Sequence, residues 1–195
     1  RVNEFREKNK DRFIFLYFGT AQKRRGYDLL LKMAVEQDGC FIHCGLNNLN
    51  EKFDQDLGLL KGKLEEQGRL LETNQFISDP MSIEHFFKSV THIILPYRDF
   101  WGSSGVMLQA LGYGIPVLVP EEGIMGYGVK KYKLGLTYSN ENGSLSSQLK
   151  KFKESSADFF KKPIADYMKY QTPEQLKKAL INVFMNSKTN HPIIP

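Results

Sequence analysis

Two cysteines among 195 residues are too few for a disulfide-stapled scaffold. They stand as Cys40 and Cys44 in CFIHCG. On a strand, residues four apart project to one face, and His43 between them projects to the other. Neither a bridge nor a shared metal site suits that spacing. Both read as buried, reduced thiols, which fits a cytosolic compartment. Apolar runs of the roughly 20 residues needed to cross a bilayer are missing, and no secretory signal is visible at the start. Also missing are the GxSxG elbow, the HExxH pair, the P-loop and the dinucleotide GxGxxG, so catalytic constellations are thin. Charge of one sign is in small excess: 27 Lys and Arg against 22 Asp and Glu give a net +5. The lysines are spread along the chain, and the densest basic run, Lys23-Arg24-Arg25, is short. No strand interleaves basic and aromatic residues, so a nucleic-acid partner is not expected. A phosphorylated small molecule suits this charge better, and peripheral docking to anionic lipid is compatible with it.

What is present is a core-forming composition, with 41% hydrophobic and 12% aromatic residues, which excludes a disordered chain. Short β-branched or aromatic runs alternate with helical patterns. Arg12–Phe18, Cys40–Cys44, Leu71–Ile77, His92–Leu95, Val117–Pro120 and Leu134–Tyr138 read as strands. Helical spacing marks residues 26–36, 51–70, a segment capped by Ser82, the segment ending at Gly114, Ile124–Lys131, Ser144–Ser155 and Pro173–Asn186. The expectation is an α/β fold: a doubly wound parallel sheet of about six strands, with helices on both faces and a strand order of the 3-2-1-4-5 kind. Residues 1–11 read as a charged helix or linker from an upstream region. Residues 12–187 read as one domain, and residues 188–195 as a loose tail.

In such a sheet a ligand lies outside the carboxyl ends of the strands. Three loops stand there: Gly19–Gly26, Gly45–Asn50 and Pro96–Gly105. The first, GTAQKRRG, offers close backbone approach at Gly19 and then the guanidinium groups of Arg24 and Arg25, which pair phosphate oxygens two at a time. The third contains Trp101-Gly102-Ser103-Ser104-Gly105. A Gly/Ser loop between a strand and a helix start leaves backbone N–H groups free for an anion, with Ser103 or Ser104 as the helix cap. Asp99 is the one carboxylate well placed near that loop, as a ligand contact or as a turn former. His43 and His92 read as core or strand-end residues.

With these residues in view, the chain resembles the C-terminal, donor-binding half of a retaining GT-B glycosyltransferase, of the large group 1 (family 4) type. The resemblance runs from about Phe13 to Tyr138. Its first-strand signature stands here as Gly19-Thr20 and Arg25-Gly26 with Leu29-Leu30, and its later motif as Gln109-Ala110-Leu111-Gly112-Tyr113-Gly114-Ile115-Pro116-Val117. Three positions depart from the family: Gln109 replaces the Glu that holds the nucleotide ribose, Trp101 replaces the first Glu of the motif, and Thr20 replaces a phosphate-binding Arg. The resemblance implies a nucleoside-diphosphate sugar as donor, with the base near Phe76–Asp79 (Ile77 above all), the ribose at Gln109, and the diphosphate between Arg25 and the Ser103–Gly105 amides. It implies no metal or other cofactor. It also implies an N-terminal domain that supplies the acceptor site, so the half by itself would bind donor without turnover. A non-catalytic glycosyltransferase-like module that scaffolds a partner subunit is the alternative, and an unrelated doubly wound binding or epimerase domain is a third reading.

Overall fold

The computed structural model describes residues 1–47, 55–139, 141 and 143–187. Among the described residues, six strands, parallel within each sheet, carry the chain: β1 (Ile14–Phe18), β2 (Cys40–Cys44), β3 (Leu70–Glu72), β4 (Ile93–Ile94), β5 (Val117–Pro120) and β6 (Gly135–Tyr138). Among the described residues, nine α-helices surround them: α1 (Val2–Lys8), α2 (Tyr27–Glu36), α3 (Gln55–Glu66), α4 (Pro80–Lys88), α5 (Gly105–Gly112), α6 (Gly123–Tyr132), α7 (Ser144–Glu154), α8 (Asp158–Met168) and α9 (Pro173–Ser187). A single 3-10 turn, Lys23–Arg25, precedes α2. None of these helices is long and apolar enough to cross a membrane.

The strands form two hydrogen-bonded sheets of three, β1-β2-β3 and β4-β5-β6, rather than one ladder of six. β1 nevertheless lies alongside β4, so the spatial order is 3-2-1 followed by 4-5-6. The missing ladder has a local cause. β4 is two residues long, Pro96 has no N–H to offer, and the Tyr97 amide bonds back to Leu95 O at 2.8 Å, which turns the chain away.

Alternation along the strands sends successive side chains to opposite faces. Ile14, Leu16, Cys40, Ile42, Ile93, Val117 and Val119 join Phe87 of α4, Leu111 of α5, Val129 of α6 and Ile164 of α8 in one core. Phe15, Tyr17, Phe41, Ile94 and Leu118 join Leu31 of α2, Leu64 of α3 and Phe152 of α7 in a second. Helices thus cover both faces, as expected for a doubly wound fold. α1 is docked on the domain: Phe5 enters the first core, and the Asn9 amide donates to Phe5 O and Gly68 O.

Several boundaries differ from the sequence reading. β3 stops at Glu72 instead of running to Ile77, and Asn74 takes a left-handed φ of +45°. α4 begins at Pro80 with Asp79 as its cap, because the Asp79 carboxylate accepts from Ser82 N at 2.8 Å. Ser82 lies inside the first turn. α5 ends at Gly112 rather than Gly114. α8 was not anticipated as a separate element. The start of the expected helix 51–70, the end of the Gly45–Asn50 loop and the 188–195 tail lie outside the described residues.

Candidate functional site

The carboxyl ends of β1 and β4 meet at the junction of the two sheets, and the loops that follow them are fastened together. Gly26 sets how closely they approach. Its φ is +75°, and a Cβ there would lie 2.5 Å from both Pro96 Cγ and Pro96 O. Only glycine fits that backbone and that gap. Arg98 then ties one loop to the other. Its amide donates to Arg24 O at 2.8 Å, and its guanidinium donates to Lys23 O at 2.5 Å and to both carboxylate oxygens of Asp28 at 2.8 and 2.9 Å. That two-pronged geometry is specific to arginine. The Arg24 guanidinium adds a contact over the Phe100 ring, 5.6 Å from its centroid.

Between the loops opens a crevice of about 400 Å³, lined by Arg25, Tyr97, Phe100, Ser103, Ser104, Gly105, Val106 and Gln109. Ser104 caps α5: its Oγ accepts from Met107 N at 3.2 Å and shares a 3.3 Å hydrogen bond with the Tyr97 hydroxyl. Burial raises the Tyr97 hydroxyl above its ordinary value, so it stays neutral there. The Gly105 and Val106 amides of the first turn have no intrahelical acceptor and stand at the positive end of the helix. Arg25 faces them, and its Nε is buried with no hydrogen-bond partner. An unpaired buried donor beside a helix N-terminus is an arrangement that an anion completes.

The loop after β1 is braced from below. The Gly19 amide donates to Cys44 O at 2.8 Å, and a Cβ on Gly19 would lie 3.4 Å from an Arg25 terminal nitrogen. Tyr17 OH donates to Thr20 O and accepts from Gln22 N, both at 3.0 Å. His43, fully buried, places Nε2 3.1 Å from Gly19 O and Nδ1 3.2 Å from a Glu72 carboxylate oxygen.

Of the residues singled out from sequence, Arg25, Ser103, Ser104, Gly105 and Gln109 share the crevice. Gly19 abuts Arg25, and Thr20 and Arg24 flank it in the same loop. Gly102 is exposed beside the Phe100 ring. Asp99 and Trp101 line a separate cleft of about 310 Å³ with Glu122, Tyr138 and Leu145. Asp99 sits there at a φ of +48°, and Trp101 is 66% exposed. Ile77 lines a third cleft, of about 530 Å³, with Glu72, Thr73 and His85. Sequence reasoning missed Tyr97, Arg98, Asp28 and His43 as parts of this site. Arg98 stood next to the expected Asp99, but its partners are 70 residues away or more.

No family model and no curated protein sequence matches this chain. Solved structures do. The C-terminal domain of the group 1 glycosyltransferase LpcC from Francisella tularensis superposes with a TM-score of 0.62 at 13% identity, over 90% of this chain and 93% of that domain. A glycosyltransferase from Rickettsia africae gives 0.70 at 11% identity, over 97% of this chain and 52% of its own. The Anabaena protein HepE, solved in complex with UDP, gives 0.69 at 14% identity, over 93% of this chain and 52% of its own. The chain therefore spans about half the length of the latter two. Taken with the 3-2-1, 4-5-6 strand order and the helices on both faces, these likenesses give the chain the fold of the C-terminal half of a GT-B, group 1 glycosyltransferase.

Proposed function

We propose that this chain is the donor-binding half of a retaining glycosyltransferase and that its crevice takes the diphosphate of a nucleoside-diphosphate sugar. The observation that carries the reading is the buried, unpartnered Arg25 Nε in one crevice with the first-turn amides of α5. A diphosphate placed between them meets guanidinium donors on one side and helix amides on the other. The ribose then reaches Gln109, whose amide both donates to and accepts from hydroxyls, and the base extends toward Ile77. As the glycosyl bond breaks, negative charge grows on the departing diphosphate. Arg25 and the positive end of α5 are fixed in place to stabilise it. An acceptor would be presented by a second domain, so this half alone binds donor without turnover.

Calorimetric titration and thermal shift with UDP, GDP and ADP test the reading. A ligand at 100 times its dissociation constant stabilises the fold by about 2.7 kcal/mol. Arg25→Ala is expected to abolish that stabilisation. No response to any of the three nucleotides, or an unchanged response in Arg25→Ala, refutes the assignment. The alternative, a non-catalytic module that scaffolds a partner, is favoured by one observation: the indole of Trp101 stands, largely exposed, where the resembled family carries a glutamate. Under that alternative, restoring Glu at positions 101 and 109 in a protein containing both halves yields no transfer.

A further inference from the structure

Beneath the loop after β1, three residues form a row across neighbouring strands. Tyr17 of β1 pairs in register with His43 of β2, and His43 with Glu72 of β3. Tyr17 and His43 hold the loop from below by separate bonds to the Thr20 and Gly19 carbonyls. Glu72 stands behind His43 and is itself crowded with donors. Tyr27 OH donates to its Oε1 at 2.9 Å, and Lys61 Nζ lies 2.8 Å from its Oε2. Burial raises the Glu72 carboxyl, but its bonds to His43, Lys61 and Tyr27 outweigh burial and bring it down to about 2. Glu72 is therefore an anion, able only to accept.

The His43 ring consequently faces an acceptor at each nitrogen: a carboxylate at Nδ1 and a backbone carbonyl at Nε2. A neutral imidazole has one N–H and satisfies one of these contacts; an imidazolium satisfies both. The other groups around the ring are the edges of Tyr17, 5.5 Å between centroids, and of Tyr27, 5.1 Å. Lys61 reaches it through Glu72, and Arg25 lies across Gly19.

We propose that His43 is a positioning residue of the anion site: braced by Glu72 at Nδ1, its ring holds the Gly19 carbonyl at Nε2 and turns it away from the crevice that Arg25 lines. The proposal rests on the donor-site reading above. Released from His43, the Gly19 carbonyl is free to present its negative end toward Arg25 and compete with phosphate.

The test measures UDP and inorganic pyrophosphate affinity for the wild type, His43→Asn, His43→Gln and Arg25→Ala. Asparagine reaches only the Nδ1 position and loses the Gly19 bond, whereas glutamine places an uncharged donor near the Nε2 position. Binding of both probes is expected to weaken about tenfold in His43→Asn and to recover to within about threefold of wild type in His43→Gln. Nitrogen-15 NMR of the unliganded wild type, which needs no variant to fold, is expected to show a proton on His43 Nε2, the nitrogen that faces the Gly19 carbonyl. A His43 Nε2 without a proton, His43→Asn binding like wild type, or the two His43 variants failing alike overturns the proposal. Arg25→Ala separates the two failures. Wild-type affinity in Arg25→Ala removes the site reading, while loss in Arg25→Ala with none in His43→Asn removes only the role of His43.

Discussion

Replacing Gly26 by alanine tests the geometry on which the crevice depends. Two costs act at that position. The first is the left-handed backbone, φ +75°, which charges alanine about 1 kcal/mol relative to glycine. The second is space, since the new methyl would sit 2.5 Å from the Pro96 carbonyl oxygen and ring. Neither atom belongs to a flexible side chain, so the two loops must part, an overpacking cost of about 1–3 kcal/mol. Gly68 supplies the control. Its φ is +63°, and a Cβ there meets nothing within 4 Å. Gly68→Ala should cost about 1 kcal/mol, and Gly26→Ala about 2–4 kcal/mol. For a chain of this size those costs lower Tm by about 2–4 °C and about 4–16 °C respectively. Circular dichroism melts measure both, and UDP titration should show weakened binding for Gly26→Ala alone. Equal Tm shifts for the two variants would refute the claim that Gly26 sets the spacing of the two loops.

Arg98→Ala removes three side-chain hydrogen bonds across the same junction. Because the pair is partly exposed, the expected loss is about 2 kcal/mol in urea unfolding, and Arg98→Lys should recover little of it. Glu72, held down at about 2 against an ordinary 4.5, contributes stability that is fully present above pH 4.5 and is lost as pH falls toward 2. The contribution is on the order of 3 kcal/mol, and Glu72→Gln should flatten that part of the stability–pH curve. Burial pushes the Cys40 thiol up to about 11 and the Cys44 thiol up to about 12. The native protein should therefore leave a disulfide reagent unreacted at pH 8 and consume two equivalents of it once unfolded.

The six strands were legible because each is a short apolar run bounded by turn residues, and in a parallel sheet buried on both sides such runs carry the signal. The cap of α5 was legible as Ser103 or Ser104, because serine at a helix start is a local requirement, and the structure assigns it to Ser104; the contact of Gly26 with Pro96 was not. α8 was not, because Pro163 interrupts its helical pattern and removes one amide from the ladder. The end of β3 was overrun because Phe76 and Ile77 look strand-like, while Asn74, a residue that enters the left-handed region readily, marks the turn. The larger gap concerns partners. Arg98 reads as an ordinary loop cation and His43 as an ordinary strand residue until the fold brings Asp28, Lys23, Gly19 and Glu72 to them. Contacts of that span leave no periodicity in a single sequence.

The division of side chains between two sheet faces has an energetic consequence. Leu16 and Tyr17 are joined by a peptide bond, yet they belong to separate packing clusters. Leu16 and Leu95, distant along the chain, share one. Truncations at the first pair should therefore sum nearly independently, while truncations at the second couple through a common void. For this chain, thermodynamic kinship follows the parity of a position on its strand rather than its nearness in sequence.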